Sequence, residues 1–368
     1  MKFAALLTAL LVNLGSTSDP KPIHVEINQN VESIGICFGL AKNGFSSFPK
    51  DYYEPFRTQA QQHFYPHKDH QAVKMVEEFV KQGFWLDKLM FIALHASSVP
   101  QAEIVHELDS TLYRAASKNK DVEEGKETIE EFIQALNDFY EQAHVEKFME
   151  VNQRYYQKVL QEVKANLPSS DFIPTMERYY GTEQHSYTLI PSPMMYRSAA
   201  IGPRVKTPEG LAVFNVFGPI VLTNDSSEFG YGYHDAKKIH ELSVHEFGHS
   251  FVNPTLATPE NKEIIDQNKH LFQPIQEEMK RQGYRNWNQC LTEHIVRLGE
   301  IRIAYAMNAD ETAERLRQDY VEERKFIYIP PLEENIKIYE EHRSQYASFE
   351  QYVPSLLRVF NEIDVPEK

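Results

Sequence analysis

Cysteine is scarce in this chain, which has only Cys37 and Cys290 in 368 residues. Small secreted scaffolds held together by disulfides need several cysteine pairs, so the sequence excludes that class. Because the two cysteines lie far apart in the sequence, we expect two buried thiols rather than a bridge. The length suffices for two or three domains, or for one large domain, with a sizeable hydrophobic core.

Basic residues are also few, with 38 Lys and Arg against 53 Asp and Glu, which gives a formal net charge of -15. Binding to nucleic acid requires clustered Lys and Arg, so we expect no nucleic-acid partner. The same balance disfavours an anionic membrane surface. The hydrophobic share of 42% and the charged share of 25% are typical of soluble globular proteins.

The N-terminal segment "MKFAALLTALLVNLGSTSDP" contains an apolar run that is too short to span a membrane comfortably. Lys2 precedes the run, and small residues follow it at positions 15–18. This order is typical of a secretory signal peptide. We therefore expect residues 1–18 to be removed, and the mature chain to be secreted or periplasmic without an integral membrane span.

Periodicity divides the remaining chain into three regions. Residues 19–167 are mainly helical after a short opening strand, and "LPSSDFIP" marks the boundary with prolines and serines. Residues 168–310 contain short strand-like runs between 182 and 232, followed by two helices. Residues 311–368 return to a helical pattern. The first of the two helices is expected to start after the N-cap Asp235 and to stop at Pro254.

The stretch "KIHELSVHEFGHSFVNP" carries the clearest chemical signal. His245 and His249 are four residues apart, so on a helix their Cβ atoms lie on one face roughly 5–6 Å apart and both imidazoles can reach one metal ion. Glu246 points about 100° away around the axis, where it can act on a water rather than as an equivalent ligand. The pattern HExxH is typical of zinc hydrolases that use the glutamate as a general base.

A water-open zinc site needs a third protein ligand. No histidine follows at the HExxHxxGxxH spacing, so the ligand must come from another element. The helix expected after Asn286 contains "CLTEHIVRLGE", and we predict Glu293 as the ligand. His294 and Glu300 are the alternatives, and Glu300 also has the spacing of an acceptor for a histidine N–H.

The chain resembles a family of uncharacterised secreted bacterial proteins that are regarded as gluzincin-type zinc metallopeptidases. The resemblance is carried by HEFGHSFVNP and by a tryptophan-led helix with an E-H-x-V-R core. It extends to "YPHKDHQAVKMVEEFVKQGF" and "YEEHRSQYASFEQYVPSLL". It implies Zn²⁺ held by His245, His249 and Glu293, with Glu246 as the base. It also implies that "AVFNVFGP" is the edge strand with which a substrate pairs.

Several weaker features have competing interpretations. Arg297, Tyr231 and Tyr233 are candidates for stabilising an oxyanion, although ion pairing of the arginine and core packing of the tyrosines are the more ordinary roles. The cluster of His63, His67 and His70 contains a proline and indicates solvated side chains more than a second metal site.

The features together predict an α+β fold in which a zincin-like metallopeptidase core, a small mixed sheet with two metal-bearing helices, is embedded in a largely helical chain. The predicted function is a secreted zinc metallopeptidase that hydrolyses a peptide or protein substrate. The alternative is a non-catalytic zinc-stabilised binding or scaffold protein. In that case the site would be closed by a fourth ligand such as Cys290.

Overall fold

The computed structural model describes residues 21–41, 55–221 and 231–363. It shows a mixed α+β protein that is mostly helical, with one small mixed sheet. The predicted signal peptide, residues 1–18, lies outside the described residues, so export remains a prediction, as do the domain boundaries. No helix in the described part of the chain is both long and apolar enough to cross a membrane.

Helices occupy both ends of the chain. Before the sheet these are α1 (Gln29–Ala41), α2 (Pro55–Phe64), α3 (Gln71–Lys81), α4 (Leu86–His95), α5 (Ser110–Ala116), α6 (Val122–Gln142), α7 (Val145–Val151), α8 (Gln153–Ala165) and α9 (Phe172–Tyr180). After it come α10 (Ala236–Leu256), α11 (Pro259–Gln267), α12 (Gln276–Arg281), α13 (Trp287–Ala306), α14 (Asp310–Gln318), α15 (Ile329–Glu341) and α16 (Phe349–Leu357). A π-helical turn spans Asp319–Glu323, and short 3₁₀ segments span Tyr65–His67, Lys269–Ile275 and Arg358–Glu362.

The sheet has five strands, β1 (Ile23–Val25), β2 (Ser186–Pro191), β3 (Ala200–Ile201), β4 (Arg204–Thr207) and β5 (Gly210–Phe217). Strands β1, β2 and β5 are parallel, in that order. Strands β3 and β4 both pair antiparallel with the free side of β5. Only two residues, Gly202 and Pro203, separate β3 from β4, so together they form one interrupted edge.

The expectation that "AVFNVFGP" is an edge strand is wrong. This segment lies in β5, which is paired on both sides, with β2 on one and with β3 and β4 on the other. Its residues are apolar except for the buried Asn215, and this reflects burial on both faces, as is usual for a central strand. The edge next to the predicted metal helix is β3 instead, and β3 contacts α10.

Two hydrophobic cores lie on opposite faces of the sheet, because successive strand side chains alternate in direction. Leu189 and Val213 face the core built around α10 and α13. Ile190 and Val216 face the core formed by the N-terminal helices. Cys290 belongs to the first core and Cys37 to the second, and both are free thiols, as predicted.

A buried polar network ties the N-terminal helices to the segment that leads into β3. Glu32 of α1 accepts hydrogen bonds from the Ser192 hydroxyl and, at 2.8 Å, from the Tyr156 hydroxyl. Arg57 of α2 donates through Nε to the carbonyl of Pro193 at 3.0 Å. Loss of water on burial raises the pKa of Glu32 to about 7, although its hydrogen bonds oppose the shift.

Because the folded pKa of Glu32 lies above its ordinary value, the unfolded chain loses this proton first as the pH rises. The network should therefore contribute most stability below about pH 4.5 and lose about 3 kcal/mol by about pH 8. Glu32→Gln cannot ionise, so its free energy of unfolding relative to wild type should rise by that amount over this window. Urea unfolding of the zinc-free protein across the window measures it. The exposed Glu130→Gln is the control, and a pH-independent difference for Glu32→Gln would contradict the assignment.

Candidate metal centre

Helix α10 presents the HExxH residues and starts as predicted. The Asp235 carboxylate caps it by accepting from the Lys238 N–H at 3.0 Å. Phe247 and Phe251 bury its apolar side in the first core. The expected stop at Pro254 is wrong, since the helix continues to Leu256. The proline falls in the last turn, where it removes one hydrogen bond while its neighbours stay buried by packing.

Helix α13 supplies the third predicted ligand. The Asn286 side chain caps it by accepting from the Gln289 N–H at 3.0 Å, as the sequence predicts. Leu291, Ile295 and Leu298 are buried in the same core as the apolar side of α10, and the two helices pack directly against each other. This packing turns Glu293 of α13 toward the histidines of α10.

His245, His249 and Glu293 bring their ligand atoms within 4.8 Å of one another. Glu293 Oε1 lies 3.4 Å from His249 Nε2, and Glu293 Oε2 lies 3.7 Å from His245 Nε2. Two atoms that each sit about 2.0–2.1 Å from one tetrahedral zinc ion are about 3.4 Å apart. The donor set and its spacing therefore fit Zn²⁺. His294 and Glu300, the alternative ligands, do not belong to this group.

The two imidazoles are oriented by acceptors behind them. His245 Nδ1 donates to Glu300 Oε1 at 2.8 Å, the role that the spacing of Glu300 suggests. His249 Nδ1 donates to Asn253 Oδ1 at 3.0 Å. With each Nδ1 committed as a donor, the Nε2 atom of each ring is directed toward Glu293.

Replacing Asn253 with alanine should weaken zinc binding about 10–100-fold, because the His249 ring loses the acceptor that fixes its tautomer and direction. Asn253→Asp keeps an acceptor at the same place and should retain affinity. Competition with a chromogenic chelator measures both. Equal affinities for Asn253→Ala and wild type would show that the hydrogen bond does not orient the ligand.

Glu246 lies beside the three-residue group, under the edge strand. Its side chain is buried, and this loss of water raises the pKa of its carboxyl above the ordinary value. A Cβ atom at Gly202 would lie 2.5 Å from the Glu246 backbone oxygen and 3.0 Å from its Oε2. Only glycine therefore allows the edge at β3 to approach the α10 backbone this closely.

The charged side chains around the predicted ligands lie in pairs of opposite sign. Burial opposes charge on His249 and Glu293, but the hydrogen bond and attraction to Glu293 raise the pKa of His249 to about 9, and attraction to His245 and His249 lowers the pKa of Glu293. Arg297 Nη2 lies 3.3 Å from Glu293 Oε2, and its Nη1 lies 3.6 Å from Glu300 Oε1. Tyr320 donates to Glu300 Oε2 at 2.5 Å. The positive charge of Arg297 therefore lies beside two carboxylates, those of Glu293 and Glu300.

Tyr284 is a site residue that the sequence did not predict. Its hydroxyl donates to Glu293 Oε2 at 3.1 Å and accepts from Arg297 Nη2 at 3.2 Å. It lies in the loop before α13, so no helical spacing links it to Glu293. Asn253, by contrast, follows His249 by one helical turn, and that spacing is a signal that could have identified it.

A cleft of about 410 Å³ opens next to these residues. It is lined by His245 and Glu246 of α10 and by Arg297 and Glu300 of α13. Ala200 of β3 and residues of α14 and of the following π turn also line it. The cleft therefore gives access to Glu246 and, within the ligand group, to His245.

The remaining predicted residues lie elsewhere. Tyr233 is buried against Phe217, and Tyr231 packs on Tyr155; neither lines the cleft. Cys290 does not join the ligand group, since its sulfur faces His294 Nδ1 at 3.6 Å in the core.

The histidine cluster near residue 63 also remains separate. His63 Nε2 donates to the Ala143 carbonyl at 3.1 Å, and His70 Nδ1 caps α3 by accepting from the Ala72 N–H at 3.2 Å. Within the described residues these histidines form no metal-ligand group.

Comparison with known proteins gives one family match. The family model described as "Domain of unknown function (DUF4932)" matches residues 23–359, nearly all of the described chain. No curated protein and no solved structure gave a significant match.

Proposed function

The chain belongs to the family described as "Domain of unknown function (DUF4932)", and we propose that it is a zinc-dependent peptidase of the gluzincin type with a zincin-like core. The observation that carries this proposal is the convergence of His245, His249 and Glu293 beside a buried glutamate that also lines an open cleft. A cleft-lining carboxyl with a raised pKa next to a ligand group is typical of hydrolytic sites.

The proposed ligands are His245, His249 and Glu293, and the proposed base is Glu246. Bound Zn²⁺ would supply Lewis acidity, which lowers the pKa of water and polarises a carbonyl oxygen. Glu246 takes the proton of the attacking water and passes it to the leaving amine. Burial suits it to this task, because its raised pKa brings it closer to neutral pH.

The substrate backbone is proposed to pair with the edge formed by β3, whose outer side has no strand neighbour among the described residues. This pairing would carry the peptide along the cleft that Ala200 of β3 and Glu246 both line. Arg297 lines the cleft and donates to Glu293 Oε2 at 3.3 Å, and it is the proposed group that stabilises the developing oxyanion.

The test uses the full mature chain with one equivalent of zinc and a randomised decapeptide mixture. We expect cleavage products by mass spectrometry, loss of cleavage after dialysis against a chelator, and recovery when zinc is returned. Zinc binding without any cleavage would contradict the peptidase proposal and favour a zinc-stabilised binding protein. Absence of zinc binding would contradict the metal centre itself.

A further inference from the structure

We propose that Arg324 determines specificity by binding a carboxylate of the substrate in the cleft beside Glu246. This inference rests on the proposed peptidase function and adds a substrate class to it. Arg324 follows the π turn Asp319–Glu323 and lines the same cleft as His245 and Glu246.

The Arg324 side chain is held in a fixed orientation. Its Nε donates to Gln282 Oε1 at 3.1 Å, while Gln282 Nε2 donates to the Arg324 backbone oxygen at 2.8 Å. The guanidinium carbon lies 5.7 Å from the Tyr320 ring centre and 5.4 Å from that of Phe326. The guanidinium is thus held by a hydrogen bond at Nε and by two aromatic rings against its planar face. Both terminal NH₂ groups remain available for a bidentate contact with a carboxylate.

Arg324 also differs from the other cations of the cleft in its charge balance. Arg297 is paired with Glu293 and with Glu300 of its own helix. Arg315 is paired with Glu241. Arg324 has no ion-pair partner among the described residues, and its hydrogen-bond partner Gln282 is neutral. A preorganised cation without an ion-pair partner favours an anionic ligand at this position, whereas the net charge of -15 of the whole chain opposes such a ligand at long range.

The position of Arg324 limits where that carboxylate can lie. Arg297 stacks over the same two rings, with its guanidinium carbon 4.7 Å from the Tyr320 centre and 4.9 Å from the Phe326 centre. Arg297 in turn lies 3.3 Å from the ligand Glu293. Since both arginines stack on the same two rings and line one cleft with Glu246, the carboxylate should belong to a residue near the scissile bond.

Asp319 is the opposing feature in the same cleft. It lines the cleft and has no ion-pair partner among the residues that the structure describes. Its carboxylate therefore works against an anionic ligand at long range. Asp319→Asn should strengthen the preference for carboxylates if Arg324 creates it.

The carboxylate has two possible sources, an acidic side chain or the free C-terminus of a peptide, and the experiment separates them. Randomised decapeptides are prepared with free and with amidated C-termini. Each mixture is captured on immobilised, zinc-loaded Glu246→Gln, which should bind peptides without cleaving them. Enrichment of Asp and Glu in both mixtures indicates a side chain. Retention of the free-acid mixture alone indicates the C-terminus.

Either enrichment should be about ten- to a hundredfold, as expected for a charge-assisted bidentate contact. It should fall below about threefold when Arg324→Gln is added, and Arg324→Lys should retain only part of it. Lys238→Gln removes the same charge from another lining position of the cleft and should leave the preference in place. Unchanged enrichment in the Arg324→Gln protein, equal losses with Lys238→Gln, or no enrichment at all would overturn the proposal.

Cleavage of the same mixtures by the protein with Glu246 intact is scored separately. If nothing is cleaved but capture depends on Arg324, the peptidase proposal fails and the carboxylate site stands. If peptides are cleaved and capture is independent of Arg324, the peptidase proposal stands and the carboxylate site fails.

Discussion

Glu246→Gln is expected to lower kcat/KM for peptide hydrolysis by about 10²–10⁴-fold while leaving zinc stoichiometry unchanged. Glutamine has nearly the same size and fits the buried position under Gly202, but its amide cannot take a proton from water. Zinc binding should persist because Glu246 is not among the three converging ligand groups. Initial rates on a peptide chosen from the mixture, with metal content measured on the same sample, test both parts.

The control for this variant is Glu263→Gln, which makes the same chemical change at an exposed site on α11. It should hydrolyse the peptide at the wild-type rate. Turnover by Glu246→Gln within tenfold of wild type would remove the glutamate from the role of base. Loss of bound zinc in that variant would instead make Glu246 part of the ligand set.

The part of the site that lies on single helices could be predicted from the sequence. The pair His245 and His249 follows from helical spacing, and the caps Asp235 and Asn286 indicate where the two helices begin. Glu300 lies seven residues after Glu293, on the same face of α13, which is why its contact with His245 was among the expected roles. Local patterns determine the histidine pair and the caps because each involves one element, whereas the contact of Glu300 with His245 also depends on the packing of α10 against α13.

Features that depend on how elements assemble could not be predicted in the same way. The apolar run of β5 is compatible with a central or an edge strand, and only the pairing partners decide between them. Tyr284 meets Glu293 because of the loop before α13, for which no periodicity exists. The close approach of Gly202 to Glu246 likewise joins two segments that are distant in sequence.

The remaining error, at Pro254, has a different origin. Proline removes one backbone donor, and its ring crowds the carbonyl four residues earlier, so the helix continues through Pro254 only because other interactions offset that cost. Packing of Phe251, Val252 and Leu256 in the first core therefore outweighs the local signal. Because the helix continues through Pro254, Asn253 keeps the helical geometry that brings its side chain to His249.

Glu293→Gln should weaken zinc binding by about a hundredfold. Zinc sites in small peptides bind with about 10–16 kcal/mol, so one ligand of a tetrahedral set accounts for about 3 kcal/mol. Glutamine keeps an acceptor for the Tyr284 hydroxyl and for Arg297, so the change removes mainly the negative charge at the metal. At a free zinc concentration of about 100 times the wild-type Kd, wild type should gain about 2.7 kcal/mol of stability, and the variant only a fraction of that.

Thermal unfolding with and without zinc measures this difference without reference to activity. Hydrolysis by Glu293→Gln should recover at high zinc, whereas that of Glu246→Gln should not, because the first variant lacks a ligand and the second lacks a base. Glu300→Gln is the matched variant on the same helix. It keeps an acceptor for His245 and should bind zinc far more tightly than Glu293→Gln. If Glu300→Gln loses the zinc-dependent stabilisation and Glu293→Gln retains it, the third ligand is Glu300 and the assignment of Glu293 is wrong.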